Sequence, residues 1–344
     1  MKICYIVPEL YSCGPVNVVL NLIKYLSINN EIMLISLKGN DEEKIVTNFK
    51  YYCSLGIHNL KLSSNIVKDL NLLCLNADII HSHGFYPDKL VKDLKVDGKK
   101  ISTVHCMFYK DYLKEYGLIK GGVGAFMHFN YLKNDKFNYI VACSKSVQDY
   151  LLNNISRNNI VNIKNGVDHQ YFKKIDKDEV HRRRKNLSID GYDKVFIYSG
   201  RLIRRKRVPE LIEIFNNKYS ENNLLIILGD GEDLEECKKK SQGKNVIFFG
   251  CVENPSYYYQ ISDYVLSNSL AEGYPMSILE AVSCGCSAIL SDILPHLEFL
   301  QNNPEVSFLI GENIALKEAR NDDFDIRKLS SERMALEYFE LYKR

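Results

Sequence analysis

The sequence predicts an α/β protein built of two doubly wound domains. Short aliphatic and β-branched runs alternate with amphipathic stretches along most of the chain. The runs are apolar throughout instead of alternating, as strands of a parallel sheet covered by helices on both faces require. The series occurs twice within 344 residues, a length that suits two domains.

The first series opens with 2–7 (KICYIV), a buried strand, and a helix over 16–26 in which Val16, Val19, Leu20, Ile23 and Leu26 recur near helical spacing. Strands follow at 32–37, 78–82, 101–104, 138–142 and 160–163. The second series places strands at 194–199, 224–228, 245–249, 263–266, 287–291 and 306–310, with helices near 207–217, 232–241, 254–260, 276–284 and 295–301. The junction falls in 165–193, where Asn165-Gly166 marks a turn and 181–186 (HRRRKN) and Asp190-Gly191 are polar and turn-rich. The chain therefore divides into a first domain over 1–167, a second over 168–325 and a last amphipathic helix over 326–344. That helix offers Leu329, Met334, Leu336, Phe339 and Leu341 to one face. It has no strand of its own to cover, and a return to the first domain is one of the places it can dock.

Hydrophobic residues make up 46% of the chain and charged residues 26%, the balance of an ordinary globular protein, which excludes a disordered or collagen-like chain. Against 45 Lys and Arg stand 43 Asp and Glu, so no nucleic-acid partner is indicated. Residues 1–170 carry 20 basic and 15 acidic side chains, and 171–344 carry 25 and 28. A mildly basic first half is compatible with a phosphate-bearing partner or an anionic membrane surface. The ten cysteines lie mostly in apolar runs, and the one close pair, Cys284-Gly285-Cys286, is too tight for zinc. Buried thiols in a reducing compartment, and no metal site, are expected. The start, MKICYIVPEL, is broken too soon by Pro8 and Glu9 for a signal peptide, and no apolar run spans a membrane. The expectation is a cytoplasmic protein with peripheral contact, if any, at the inner face of the cell membrane.

In doubly wound sheets ligands lie beyond the carboxyl ends of the strands, and two such domains present a cleft between them. Gly14 follows the first strand, with Pro15 opening a helix, and lets backbone amides approach a phosphate; a plain turn is the bland alternative. Strand 194–199 runs into SGRLIRRKRVP, a basic strand–helix junction suited to a diphosphate, where most charge runs are only solvated loops. The segment 266–292 places Glu272 in a loop and Glu280 eight residues later in a helix opened by Pro275 and closed by Gly285. Carboxylates accept hydrogen bonds from vicinal sugar hydroxyls, and the helix start presents amides to phosphates; an ordinary capped helix with two surface glutamates is the alternative.

The run Glu272-Gly273-Tyr274-Pro275-Met276-Ser277-Ile278-Leu279-Glu280-Ala281 resembles the E-x7-E signature, EGxPxxxxEA, of retaining GT-B glycosyltransferases, family 4 in particular. IKNGVDHQYF, SGRLIRRKRVPELIEIF, LLIILGDGEDLEE and NVIFFGCV resemble, in the family's order, its other segments over roughly 160–300. The resemblance implies a GT-B architecture, two Rossmann-like domains facing across a cleft with a C-terminal helix. It also implies transfer of a hexose-type sugar from a nucleotide-diphosphate sugar, with retention and without a metal or other cofactor. By position, Arg201 and Lys206 resemble the basic pair on the donor diphosphate, Glu280 the glutamate on the ribose and Glu272 the one at the donor sugar's hydroxyls. Gly273, Tyr274, Pro275, Met276 and Ser277 would cradle sugar and phosphate, and Gly14 resembles the glycine loop that meets the phosphate from the first domain. His105, after strand 101–104, resembles the family's histidine near the donor sugar and joins Glu272 as a catalytic candidate; His83 is the candidate on the acceptor side.

The chain departs from the family pattern at Gly14-Pro15, at Arg207 where a glycine is common, and at Ile293-Leu294-Pro295-His296 where a Gly-rich stretch is usual. The expected acceptor is a glycan or lipid-linked saccharide in surface polysaccharide synthesis, by analogy. Residues 107–139 are read as an acceptor lid, a membrane-touching loop–helix or a solvent-facing insertion. A nicotinamide-dependent dehydrogenase would need a third glycine that Gly229-Asp230-Gly231-Glu232-Asp233-Leu234 lacks. A nucleotide-sugar epimerase of the same architecture, which needs no acceptor, is the remaining alternative. Glu272, Lys206 and Glu280 argue against a non-catalytic binding subunit.

Overall fold

The apolar runs become the strands of two parallel sheets. The computed structural model describes residues 1–10, 13–38, 51–54, 64–133, 135–312 and 324–344, with 51–54 and 64–65 described in backbone only. Tyr11 and Ser12 of the first loop, and the Cys53 side chain, lie outside the described residues. One unit comprises Met1–Gly166 with Ser331–Arg344, and the other Val167–Ser330.

In the first unit the strands are β1 (Lys2–Val7), β2 (Glu31–Ser36), β3 (Tyr51–Ser54), β4 (Ile79–His83), β5 (Lys99–Val104), β6 (Tyr139–Ala142) and β7 (Ile160–Asn162). They pair in parallel in the order β3-β2-β1-β4-β5-β6-β7. The connecting helices are α1 (Gly14–Leu26), α2 (Ser64–Leu73), α3 (Phe85–Val91), α4 (Phe108–Tyr116), α5 (Leu118–Lys133) and α6 (Lys145–Leu152). β1 is buried along almost its whole length because helices cover both faces. The order sets the carboxyl ends of β1, β4 and β5 side by side, and a Cβ on Gly84, just past β4, would lie 3.5 Å from Pro8, just past β1. β3, four residues with no long apolar run, was not legible as a strand.

The second unit repeats the plan with β8 (Lys194–Ser199), β9 (Asn223–Leu228), β10 (Val246–Gly250), β11 (Tyr264–Ser267), β12 (Ser287–Leu290) and β13 (Ser307–Leu309), in the order β10-β9-β8-β11-β12-β13. Its helices are α7 (Lys177–Asn186), α8 (Val208–Lys218), α9 (Leu234–Lys240), α10 (Pro255–Gln260), α11 (Met276–Ser283) and α12 (Leu294–Asn302). Phe196 of β8 stacks on Tyr219 and Tyr264 at centroid distances of 5.3 and 4.9 Å, at the centre of this core.

Two expectations are corrected. The junction residues 181–186 are not turn-rich linker but part of α7. Asp176 caps that helix by accepting from the Glu179 amide, Glu179 pairs with Arg182 and Arg183, and Arg184 donates to the Ile261 carbonyl and to Asp263. The basic run is thus a clamp on the sheet, not a solvated spacer. The segment 326–343 is not one helix either. A 3-10 turn, Ile326–Leu329, belongs to the second unit; Ser330 is extended, and the C-terminal helix Ser331–Lys343 belongs to the first unit, packed against α1. Its buried face is Met334, Ala335, Tyr338, Leu341 and Tyr342, while Leu336 is exposed. Met334 and Leu336 point about 200° apart around a helix, so one face cannot hold both.

Candidate active site

In the second unit, the loop after β8 carries the basic residues. Gly200 leaves the strand, Arg201 is exposed, and Arg204–Lys206 form a 3-10 turn that Arg207 ends in the left-handed conformation at φ 51°. The Gly229-Asp230-Gly231 turn after β9 fixes this loop. The Leu202 amide donates to the Asp230 carbonyl (2.8 Å), and the Asp233 amide donates to the Leu202 carbonyl (2.9 Å). A Cβ on Gly229 or Gly231 would come within 2.0 or 2.2 Å of the carbonyl oxygens of Gly200 or Leu202, so only glycine permits this backbone contact. These glycines are structural, not a dinucleotide fingerprint.

The basic side chains of this loop do not point one way. Lys206 donates to the Glu272 carboxylate, and Arg205 lies buried with Nη1 2.6 Å from the Ala271 carbonyl and 3.7 Å from Glu272. Arg207 pairs with Glu210 at 3.3 Å. The Ser269 hydroxyl donates to Glu272 at 2.7 Å. Burial alone would raise the Glu272 carboxyl; Lys206, Arg205 and His296 outweigh it and hold it down at about 2. Burial likewise lowers the Lys206 ammonium, against the pull of Glu272. A buried, fully ionised pair results.

His296 stands at one of the departures from the family pattern, and the sequence had not marked it as a site residue. Its Nδ1 lies 3.0 Å from the Ser291 hydroxyl and 3.2 Å from the Ser291 carbonyl. A carbonyl only accepts, so Nδ1 carries the proton and Nε2, buried without a partner, is a bare acceptor. Burial holds this ring neutral, with its pKa down at about 4 despite the pull of Glu272.

Past Glu272, Gly273, Tyr274, Pro275 and Met276 are buried and Ser277 half-buried at the start of α11, where no side chain caps the helix. Glu280, one turn further into α11, is buried and accepts from the Tyr259 hydroxyl at 3.4 Å. Lys206 and Glu272 are therefore directly joined, Arg201 lies on the same loop, and Glu280 meets Tyr259. Arg205, Ser269 and Tyr259 carried no signal beyond their neighbourhood of the signature.

In the first unit, the three strand ends hold a buried ring cluster. His83 Nδ1 is 2.9 Å from His105 Nε2, and their rings stack with centroids 5.2 Å apart. His83 is fully buried beside His105, with its Nε2 left without a hydrogen-bond partner. His81 is fixed on one side by the Tyr342 hydroxyl (2.7 Å) and on the other by Thr103 (2.7 Å), which also meets Tyr338 (2.9 Å). Tyr5 meets Tyr342 at 3.1 Å. Burial pushes His105 down to about 3, and burial together with the neighbouring rings pushes His81 and His83 well below the usual histidine value, so all three are neutral near pH 7. Gly14 starts α1 beyond the neighbouring β1, with Cys13 extended before it and Pro15 in the first turn. Tyr338 and Tyr342 were missed because the C-terminal helix had no assigned neighbour.

Comparison with known proteins adds a family to this geometry. Residues 13–171 match the model of Glycosyltransferase Family 4, and residues 179–321 match Glycosyl transferases group 1. The chain is 27% identical over 308 residues to the O-antigen biosynthesis glycosyltransferase WclY of Escherichia coli, covering 85% of this chain and 80% of that protein. Sucrose-phosphate synthase from Thermosynechococcus elongatus superposes with a TM-score of 0.81 at 16% identity, over 99% of this chain and 98% of that one. Anabaena HepE, solved in complex with UDP and glucose, gives a TM-score of 0.80 at 14% identity, over 100% of this chain and 99% of that one. Both family models describe transferases, and the epimerase alternative is not carried further. With a family 4 domain over its first half and a group 1 domain over its second, the chain belongs to the glycosyltransferases of GT-B fold.

Proposed function

We propose that this glycosyltransferase moves a hexose-type sugar from a nucleotide-diphosphate donor to a glycan or lipid-linked saccharide, with retention and without a metal ion, in building a surface polysaccharide. The observation that carries the reading is the buried Lys206–Glu272 pair beside the uncapped start of α11: a cation, a carboxylate and helix amides at the carboxyl ends of neighbouring strands. Relatives support the donor type and the polysaccharide product. WclY is named for O-antigen biosynthesis, and HepE was solved with UDP and glucose.

In this reading Lys206, Arg201 and the backbone N–H groups of Gly273, Tyr274, Met276 and Ser277 take the charge of the leaving diphosphate. Glu272 accepts from the donor sugar's hydroxyls and Glu280 from the ribose. Gly14 meets the phosphate from the first domain, and neutral His105, braced by His83, stands at the donor sugar. The bond from the anomeric carbon to the diphosphate oxygen breaks as the acceptor oxygen bonds the same face. The acceptor's proton passes to the departing phosphate oxygen, so no side chain need serve as general base.

Calorimetry with a series of nucleoside diphosphates tests the donor half. The wild-type protein is expected to bind one of them, and Glu280→Gln to weaken that binding by about tenfold or more, the scale of a lost charge-assisted hydrogen bond. Equal affinity in both proteins removes Glu280 from the site. An inverted anomer in the product, read by NMR, would overturn retention.

A further inference from the structure

The α4–α5 hairpin carries a surface to which the proposed transfer assigns no role. Its inner side is firmly seated. A Cβ on Gly121 would fall 2.3 Å from the Tyr112 carbonyl, so the two helices touch backbone to backbone. His128 stacks on Phe108 with centroids 3.9 Å apart, and its Nε2 lies 2.8 Å from Asp88 of α3. The Tyr109 amide donates to the Tyr150 hydroxyl of α6 at 2.9 Å.

The outer side is bare. Of the fourteen large hydrophobic residues exposed among the described residues, six fall in this hairpin: Tyr116, Leu118, Ile119, Val123, Phe126 and Met127. Leu118 and Ile119 are 81% and 83% exposed. Ile119, Val123 and Phe126 follow one another at i, i+4 and i+7, a single stripe along α5. Lys110, Lys114 and Lys120 are exposed around it, and none is in a salt bridge among the described residues. Of the two acids in α4, Asp111 is buried and accepts from the Met107 amide, and Glu115 is half-buried and accepts from the Tyr116 hydroxyl at 3.3 Å. No helix among the described residues is long and apolar enough to cross a membrane.

We propose that this face docks the protein flat on an anionic bilayer surface, the stripe sinking among the acyl chains and the lysines resting on the headgroup phosphates. Apolar side chains ringed by lysines are the composition of an interfacial helix, since lysine stems lie along apolar surface while their heads reach anions. The charge also argues against a second copy of the chain as occupant. A two-fold contact through this face brings the same patch against itself and sets lysine against lysine. The inference goes beyond the proposed reaction and does not depend on it.

Co-sedimentation with vesicles tests it, using the full chain. The protein is expected to pellet with vesicles of phosphatidylethanolamine and phosphatidylglycerol, and at least fivefold less with phosphatidylcholine alone. An Ile119→Glu/Phe126→Glu variant is expected to lose pelleting on both. Lys110→Ser/Lys114→Ser/Lys120→Ser is expected to lose the preference for phosphatidylglycerol, and 0.5 M salt to do the same to the wild type. All these positions are exposed, and circular dichroism checks that each variant folds. Wild-type protein that ignores both vesicles, or glutamate variants that pellet like wild type, would overturn the proposal. So would sedimentation velocity showing a wild-type dimer that Ile119→Glu/Phe126→Glu dissolves.

Discussion

Each unit buries a polar cluster at the carboxyl ends of its central strands, and the two are built from opposite materials. The first unit uses neutral rings and hydroxyls, with His81, Thr103, Tyr338, Tyr342 and Tyr5 joined in one chain of hydrogen bonds and His83 bonded to His105 beside it. The second unit uses full charges, Lys206 and Arg205 around Glu272. A neutral cluster costs little desolvation and ties together segments far apart in sequence, here β1, β4, β5 and the C-terminal helix. A charged cluster survives burial only while each charge has its counterpart, and that dependence leaves it able to exchange a partner for an ionic ligand.

Acid should separate the two clusters most strongly. The folded pKa values of His81, His83 and His105 lie below the unfolded histidine value near 6.5, with His105 at about 3. Their contribution to stability is fully present above pH 6.5 and is lost as pH falls toward the folded values. Glu272, at about 2 against an ordinary value of 4.5, keeps its contribution until pH drops below 4.5. Hydrogen exchange across this range should show β4 and β5 opening before the loop holding Glu272, while His296, at about 4, weakens its own surroundings early. Opening in the reverse order would contradict the neutral-ring account.

Next in size is Lys206→Ala, which strands a buried carboxylate. A loss of about 3–5 kcal/mol is the scale for a broken buried pair, and Arg205 and Ser269 should hold the result toward its lower end. Denaturant unfolding measures it, and adding Glu272→Gln should restore part of the loss. In the neutral cluster, Tyr342→Phe leaves His81 Nδ1 and the Tyr5 hydroxyl short of a partner, for about 1–3 kcal/mol. Equal costs for the two variants would erase the distinction between the clusters. The smallest effect runs the other way. Arg207 holds a left-handed backbone that costs an L-residue about 1–2 kcal/mol, and its exposed pair with Glu210 contributes little. Arg207→Gly should therefore raise the unfolding midpoint slightly. No rise would mean that the arginine contributes more than its contacts show.

Much of this was legible in the residues. Apart from β3, the strands of both sheets were readable because an apolar run is a local property and a strand covered on both faces needs nothing else. The Glu272 to Glu280 segment was readable as a loop and helix start for the same reason. Arg207 was legible only as a departure where glycine is common, and its left-handed turn came with the structure. What escaped was whatever depended on a partner. The run 181–186 looked like linker because Arg184 finds Ile261 and Asp263 only once the strands are in place. The C-terminal helix was given the wrong face because Tyr338 and Tyr342 are drawn inward by His81 and Thr103, more than 200 residues away.

By itself, then, the sequence determined the alternation of buried strand and amphipathic helix, the division into two series, and the residue types gathered at the strand ends, since each is written in neighbouring positions. Tertiary structure alone decided that Lys206 closes on Glu272, 66 residues on, that His83 turns its back to solvent to brace His105, and that His296 carries a bare nitrogen. The physical reason is sheet order. Periodicity tells each strand which faces it must bury, but only the packed sheet sets which strand ends become neighbours, and polar side chains choose their partners among those ends.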